Sequence, residues 1–430
     1  MKFNITSRKQ KAITNHEGAK AFELTPALKL YTAVTTAGLS DKFYENSDET
    51  VARIQGLIRK NDPAFVARLA VYAREQMYLR SIPLVLAVEL AAAHKGDSLV
   101  SGLVTRVVQR ADEITELLAY YARANGRTGQ KKLGQQKFES ARQKDEATSA
   151  KWEELIASNK LGYMALLRNL RNILEARVSK DAIKNVCAYL TNARAVANSK
   201  QLPFRYLSAY RELKTVSSGY TGLVLDALEE AVQLSARNIA GYDEDTKVVI
   251  AADVSGSMQK PVSEKSKVLN YDIGLILAML LQSRCANVIT GMFGDTWKAI
   301  PVPKKNILGG VQEFYRREGE VGYATNGYLV IKDLLQRGEV VDKVVMFTDC
   351  ELWNSNGGQQ HIDTLWTQYK HIAPGAKLYL FDLAGYGKSP LRLAGRDVFL
   401  IAGWTDKIFR VLKAVEAGGD ALEEINKIEL

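Results

Sequence analysis

The sequence predicts a multidomain chain: an all-α N-terminal part built of HEAT-like helical repeats, then a C-terminal α/β domain with a mostly parallel sheet. Two patterns carry this reading. Up to about residue 240, apolar residues recur at helical spacing in segments of 10–18 residues. Beyond Gly241, short apolar runs rich in β-branched residues alternate with amphipathic helices. A chain of 430 residues is long enough for two to three domains, each with its own core.

The helices of the first part are read from "DETVARIQGLIRK", "PAFVARLAVYAREQ", "SIPLVLAVELAAAHK" and "LVSGLVTRVVQRADEITELLAYYARA". The breaks "KNDP", "HKGDS" and "ANGRTG" supply the residues that stop helices. No strict period separates these segments, so a solenoid of helix pairs stands beside a compact irregular helical domain as its alternative. In the second part the strands are "KVVIAADV", "NVITGMFG", "KVVMFTD", "KLYLFDL" and "DVFLIAG". Between and after them lie the helices "VLNYDIGLILAMLLQSR", "IDTLWTQYKHI" and "TDKIFRVLKAVEAG". The division expected is 16–244 and 245–430.

The net charge is +10, and its distribution is uneven. Residues 1–245 hold 36 Lys and Arg against 27 Asp and Glu, whereas the remainder holds 22 against 21. An excess confined to the helical part points to an anionic partner there, nucleic acid or an anionic surface. Cys187, Cys285 and Cys350 lie far apart, as suits a reducing compartment without a disulfide framework. "MKFNITSRKQ" has no apolar core of a secretory signal, so a cytoplasmic location is expected. "IPLVLAVELAAA" and "IGLILAMLL" are too short to span a bilayer, so no membrane partner is expected.

One stretch carries metal chemistry. In "AADVSGSMQK", Asp253 ends a strand, and Ser255 and Ser257 alternate along the loop that follows. Asp349 ends "KVVMFTD", and Thr325 in "GYATNGY" is expected to open a helix between those strands. In open parallel sheets ligands gather at the carboxyl ends of strands. Two carboxylates among three hydroxyls suit a hard octahedral cation that keeps some water, Mg²⁺ first and Mn²⁺ second. The alternative is that Asp253 and Ser255 merely cap a helix or close a turn.

This arrangement resembles the metal-ion-dependent adhesion site (MIDAS) of von Willebrand factor A domains, a Rossmann-like fold. The wider chain is similar to the Ro/TROVE RNA-binding proteins, in "LGYMALLRNLRNIL" (161–174), "LPFRYLSAYRELK" (202–214) and "FTDCELW" (347–353). "ALEEAV" preceding "VVIAADVSGSM" follows the same family order. The resemblance implies a ring of helical repeats closed by the von Willebrand A domain, a ribonucleoprotein partner and no catalysis. It implies that single-stranded 3′ ends of defective noncoding RNAs enter the ring. It further implies small Y-like RNAs on a basic outer surface and degradation by a separate exoribonuclease. A monomer is expected.

The richest basic stretch is "RANGRTGQKKLGQQKFESARQK", with Arg123, Arg127, Lys131, Lys132, Lys137, Arg142 and Lys144 as candidate RNA contacts. A solvated linker is its alternative. "LLRNLRN" places Arg168 and Arg171 on one helix face as further candidates, with ordinary surface charge as the alternative.

Other chemistry is excluded or subordinate. "DLAGYGKSP" lacks the first glycine of a P-loop, and Pro390 interrupts the helix that must follow. His361 and His371 have no metal-register partners. Tyr in "YLSAYREL" and "LAYYARA" suits a core better than base stacking. The competing functions are an adaptor whose metal captures an acidic partner and a metal-dependent nuclease; the latter usually needs more carboxylates.

Overall fold

The computed structural model describes residues 10–37, 48–93, 98–124, 149–158, 161–261, 268–355, 361–393, 397–418 and 421–430. It bears out the predicted fold class, a helical N-terminal part followed by an α/β part. The chain opens with strands β1 (Ala12–Thr14) and β2 (Lys20–Glu23). Helices then follow: α1 (Pro26–Thr35), α2 (Asp48–Ile58), α3 (Pro63–Glu75), α4 (Ser81–Ala93), α5 (Ser98–Val107) and α6 (Ala111–Ala124). After residue 148 come α7 (Ser149–Ala157), α8 (Tyr163–Glu175), α9 (Lys180–Leu190), α10 (Ala193–Ser199), α11 (Pro203–Leu213) and α12 (Thr221–Ser235).

The break residues act as caps. Asp62 of "KNDP" accepts the Phe65 N–H at 3.0 Å, with Pro63 in the first turn of α3 where its missing N–H costs nothing. Asn192 does the same for α10, accepting from Ala195 at 2.9 Å. Glu89, inside the otherwise apolar α4, is satisfied by the Tyr120 hydroxyl and the Gln55 amide, both at 2.8 Å.

The α/β part contains β3 (Tyr242–Asp253), α13 (Asn270–Gln282), β4 (Cys285–Phe293), β5 (Trp297–Ala299), α14 (Ile307–Arg317) and α15 (Tyr328–Arg337). It continues with β6 (Lys343–Thr348), α16 (Ile362–Ile372), β7 (Lys377–Asp382), β8 (Lys388–Ser389), β9 (Val398–Ala402), α17 (Ile408–Glu416) and α18 (Ala421–Asn426). Its sheet order is β5-β4-β3-β6-β7-β9, parallel except for the β4–β5 pair. That is the doubly wound order, whose reversal point lies at β3. β3 and β6 are central neighbours, with Ala252 opposite Phe347. The topology therefore brings the end of "VVIAAD" beside the end of "KVVMFTD".

The helical series is held by the α/β part at both ends. At one end, the Tyr31 hydroxyl of α1 donates to Ala402 O of β9 at 3.3 Å, and Arg68 of α3 donates to Ile428 O at 3.1 Å. At the other, α11 and α12 pack on α13 and α14. A small second sheet pairs β2 with β8, so the N-terminal hairpin is bound to the far part of the chain. The "GYGKSP" stretch forms strand β8 where a P-loop would need a helix. No described helix is long and apolar enough to cross a membrane.

Candidate nucleic-acid interface and metal centre

The helical part contains a cavity of about 690 Å³. Two helix–helix turns line most of it. The end of α3 and the turn to α4 supply Arg74, Tyr78 and Arg80; the α10–α11 turn and the start of α11 supply Lys200 and Arg205. Arg110, before α6, and Arg168, on α8, complete the basic lining, and no lining residue is acidic.

Two carboxylates behind this wall are committed to its cations. Glu113 is wholly buried and takes both of its 2.8 Å bonds from Arg74, with Arg80 at 3.3 Å. Its Oε2 also accepts the N–H groups of Gln109 and Arg110, at 2.9 and 3.1 Å. Asp112 bonds Arg80 and Arg110. Arg74, Arg80 and Arg110 thus meet Glu113 and Asp112 behind the wall, with Glu116 beside Arg80, while the lining itself is basic, which suits an anionic chain.

Of the basic residues predicted as contacts, Arg168 lines the cavity. Arg171 is exposed and bonds Glu175 at 2.8 Å and Glu212 at 3.2 Å. Arg123 closes α6, and nothing of its side chain is described. Arg127, Lys131, Lys132, Lys137, Arg142 and Lys144 lie outside the described residues. Sequence reasoning missed Arg74, Arg80, Arg110, Lys200 and Arg205. Its one available signal was the pair of basic residues bracketing each of the turns "REQMYLR" and "KQLPFR".

The predicted metal ligands converge. Asp253, Ser255, Thr325 and Asp349 are buried, and Ser257 is half-buried. Asp253 accepts the Ser255 N–H at 3.0 Å and the Thr348 hydroxyl at 2.7 Å. The Ser255 and Ser257 hydroxyls are 3.1 Å apart. Thr325 lies three residues ahead of α15, rather than opening it, and is fixed by the Trp353 N–H on its carbonyl at 3.0 Å. Two buried oxygens, Thr325 Oγ1 and Asp349 Oδ2, have no hydrogen-bond partner. Burial raises both carboxyls above their usual range, and the Asp349 charge pushes Asp253 further up.

A cation would reverse both penalties and occupy the two orphaned oxygens, so the donor set fits a hard divalent ion. The set depends on its hydroxyls: no group of three or more His, Cys, Asp and Glu gathers for a metal among the described residues. Around it stand exposed aromatics. Tyr323 is 48% exposed and its carbonyl accepts the Gly256 N–H at 2.9 Å, while Trp353 is 39% exposed.

Residues 126–220 match the TROVE domain family. The resemblance to Ro/TROVE proteins is thereby borne out on a segment that spans α7 to α11 and holds Arg168, Lys200 and Arg205 of the cavity. Telomerase protein component 1 of Rattus norvegicus is 44% identical over 62 residues, 14% of this chain. Its counterpart from Mus musculus is 44% identical over 59 residues. The aligned stretch is 2% of the length of those relatives. The crystal structure of the Deinococcus radiodurans Ro (RSR) protein aligns over 92% of this chain and 100% of its own, at 17% identity and a TM-score of 0.49.

Proposed function

We propose that this chain is a Ro-like RNA-binding protein that holds single-stranded RNA in the basic cavity between its two helix–helix turns. The observation that carries the reading is the lining: Arg74, Arg80, Arg110, Arg168, Lys200 and Arg205 around about 690 Å³, without an acidic residue. Phosphate contacts from such a wall supply affinity without reading sequence. On this reading the cavity clamps 3′ ends of misfolded noncoding RNA in the cytoplasm, as a monomer. Turnover is left to an associated exoribonuclease, and Y-like RNA takes an outer surface.

Asp253, Ser255, Ser257, Thr325 and Asp349 would hold Mg²⁺, with Mn²⁺ as substitute, which supplies charge neutralisation and a coordination position for a partner's oxygen. The hydroxyl-rich set favours capture over hydrolysis, so the protein is read as non-enzymatic. A second reading rests on the exposed Tyr323 and Trp353 beside that centre: an adaptor that docks an acidic protein there.

The test is a gel shift with RNA bearing a single-stranded 3′ tail against a blunt duplex, over a salt titration. Tail-dependent binding should weaken with a log–log slope of about −0.7 per phosphate neutralised. The variant Lys131→Ala/Lys132→Ala/Arg142→Ala should show a shallower slope if the basic stretch lies on the RNA path. No binding at low salt would sink the RNA reading and leave the adaptor.

A further inference from the structure

Helices commonly end on a residue in the left-handed region, where glycine is the usual choice because it has no Cβ to clash. Among the described residues only four non-glycines adopt positive φ: Tyr78, Arg177, Lys200 and Cys350. Tyr78, at φ 57°, lies in the turn that ends α3, where the next residue's N–H reaches back to Ala73 O at 2.9 Å. Lys200, at φ 50°, is the C-terminal cap of α10. These two strained residues meet. The Lys200 ammonium stands 4.7 Å from the centre of the Tyr78 ring, and both line the basic cavity. A third cation, Lys407 from the α/β part, approaches the same ring at 5.5 Å and is held by Asp406 at 2.5 Å.

An aromatic or long basic side chain at a glycine position costs stability, and strain of this kind persists where the surroundings over-determine it, as at ligand clamps. Here the strain aims one ring and one ammonium into the same cavity, from turns about 120 residues apart in sequence.

We infer that Tyr78 and Lys200 form a clasp for one nucleotide, the base stacking on the Tyr78 ring and the adjoining phosphate taken by Lys200. This rests on the reading of the cavity as an RNA site and names the residues that hold a base within it. Lys200 is exposed and its stem is flexible, so its ammonium can leave the ring for a phosphate. An exposed cation–π contact is weaker than a stacked base, so the exchange favours the bound state. Lys407 stays with Asp406 at the ring's other contact and does not need to move. Base–aromatic stacking tolerates any base, which fits a site that accepts strands of varied sequence.

The experiment uses the full chain, fluorescence anisotropy and two labelled 12-nucleotide probes: an oligoadenylate and an abasic oligomer of equal charge. Wild type should bind the oligoadenylate about tenfold more tightly than the abasic probe. Tyr78→Gly should remove that preference while melting no lower than wild type, because glycine adopts φ 57° without strain. Lys200→Gly should weaken both probes alike and make the salt slope shallower by about 0.7. Should Tyr78→Gly fold poorly, Tyr78→Asn tolerates the same backbone and carries the same expectation. A base preference that survives both Tyr78 variants overturns the clasp. Equal wild-type affinity for the two probes overturns it as well and leaves RNA binding standing. If wild type binds neither probe, the RNA reading itself falls and takes the clasp with it.

Discussion

Arg211 of α11 grips Asp272 in the first turn of α13 with two hydrogen bonds, of 2.8 and 2.6 Å. The Asp272 carboxylate is wholly buried and also accepts the Leu269 N–H at 2.9 Å, capping α13 just after the loop that carries Ser255 and Ser257. Arg211 lies over the Tyr315 ring at 5.1 Å, so the guanidinium is stacked as well as paired. Six residues earlier on the same helix, Arg205 lines the basic cavity. One helix therefore spans the distance from the candidate RNA site to the segment that follows the candidate metal loop.

This pair predicts a specific loss. Arg211→Ala leaves Asp272 charged and buried without its partner, a change that costs about 3–5 kcal/mol. Arg211→Lys keeps the charge but loses the two-point fork, and should recover only part of that. Urea denaturation of both variants checks it. A shift in midpoint no larger than that of a surface substitution would show that the pair contributes little.

The cavity predicts selectivity between two arginines three residues apart. Arg168→Ala should weaken binding of a single-stranded oligoribonucleotide several-fold and make its salt dependence shallower by about 0.7 in slope. Arg171→Ala should leave both unchanged, because Glu175 and Glu212 already occupy that side chain outside the cavity. Equal effects from the two would mean that RNA runs along the exposed face of α8.

How far the sequence could be read depended on whether the signal was local. The β3–α13 and β6 segments announce themselves through β-branched runs and helical spacing, and Asp253 and Asp349 sit at strand ends that can be counted by eye. The cap residues of "KNDP" are equally local. The cavity is not: Arg74 and Arg205 lie on helices far apart in the sequence, and only the tertiary fold brings them together. Strand β8 has two residues and no periodicity, so its pairing with β2 left no pattern in the sequence. The left-handed backbone of Tyr78 and Lys200 is likewise invisible, because neither residue is one that ordinarily signals positive φ.

The metal reading predicts a stabilisation that depends on the hydroxyl set. Adding Mg²⁺ or Mn²⁺ should raise the melting temperature, by the equivalent of about 2.7 kcal/mol at a hundred times the dissociation constant. Thr325→Ala and Asp349→Asn should each abolish the response, since they remove the two orphaned buried oxygens. A chelator should reverse it in the wild type alone. An unchanged melting temperature across a millimolar range would argue that the two carboxylates only shape the loop.

Asp382, at the end of β7, predicts a pH dependence that is separable from the metal. It is wholly buried; its Oδ1 accepts the Ala384 and Gly385 N–H groups at 3.0 and 2.8 Å, and its Oδ2 has no partner. Burial pushes its carboxyl up to about 7, the Asp349 charge adding to this and the Arg53 guanidinium opposing it. The folded chain therefore holds a proton that the unfolded chain has released, over the window from about 4 to about 7. Stability from this group is present below that window and is lost as the pH rises through it, by about 4 kcal/mol at most. Asp382→Asn keeps the Oδ1 acceptor and cannot ionise, so its stability should fall less steeply than that of the wild type between pH 4 and 7. Denaturation curves at several pH values, with a chelator present throughout, measure the difference. Parallel pH profiles for the two proteins would show that the Asp382 charge is compensated in solution.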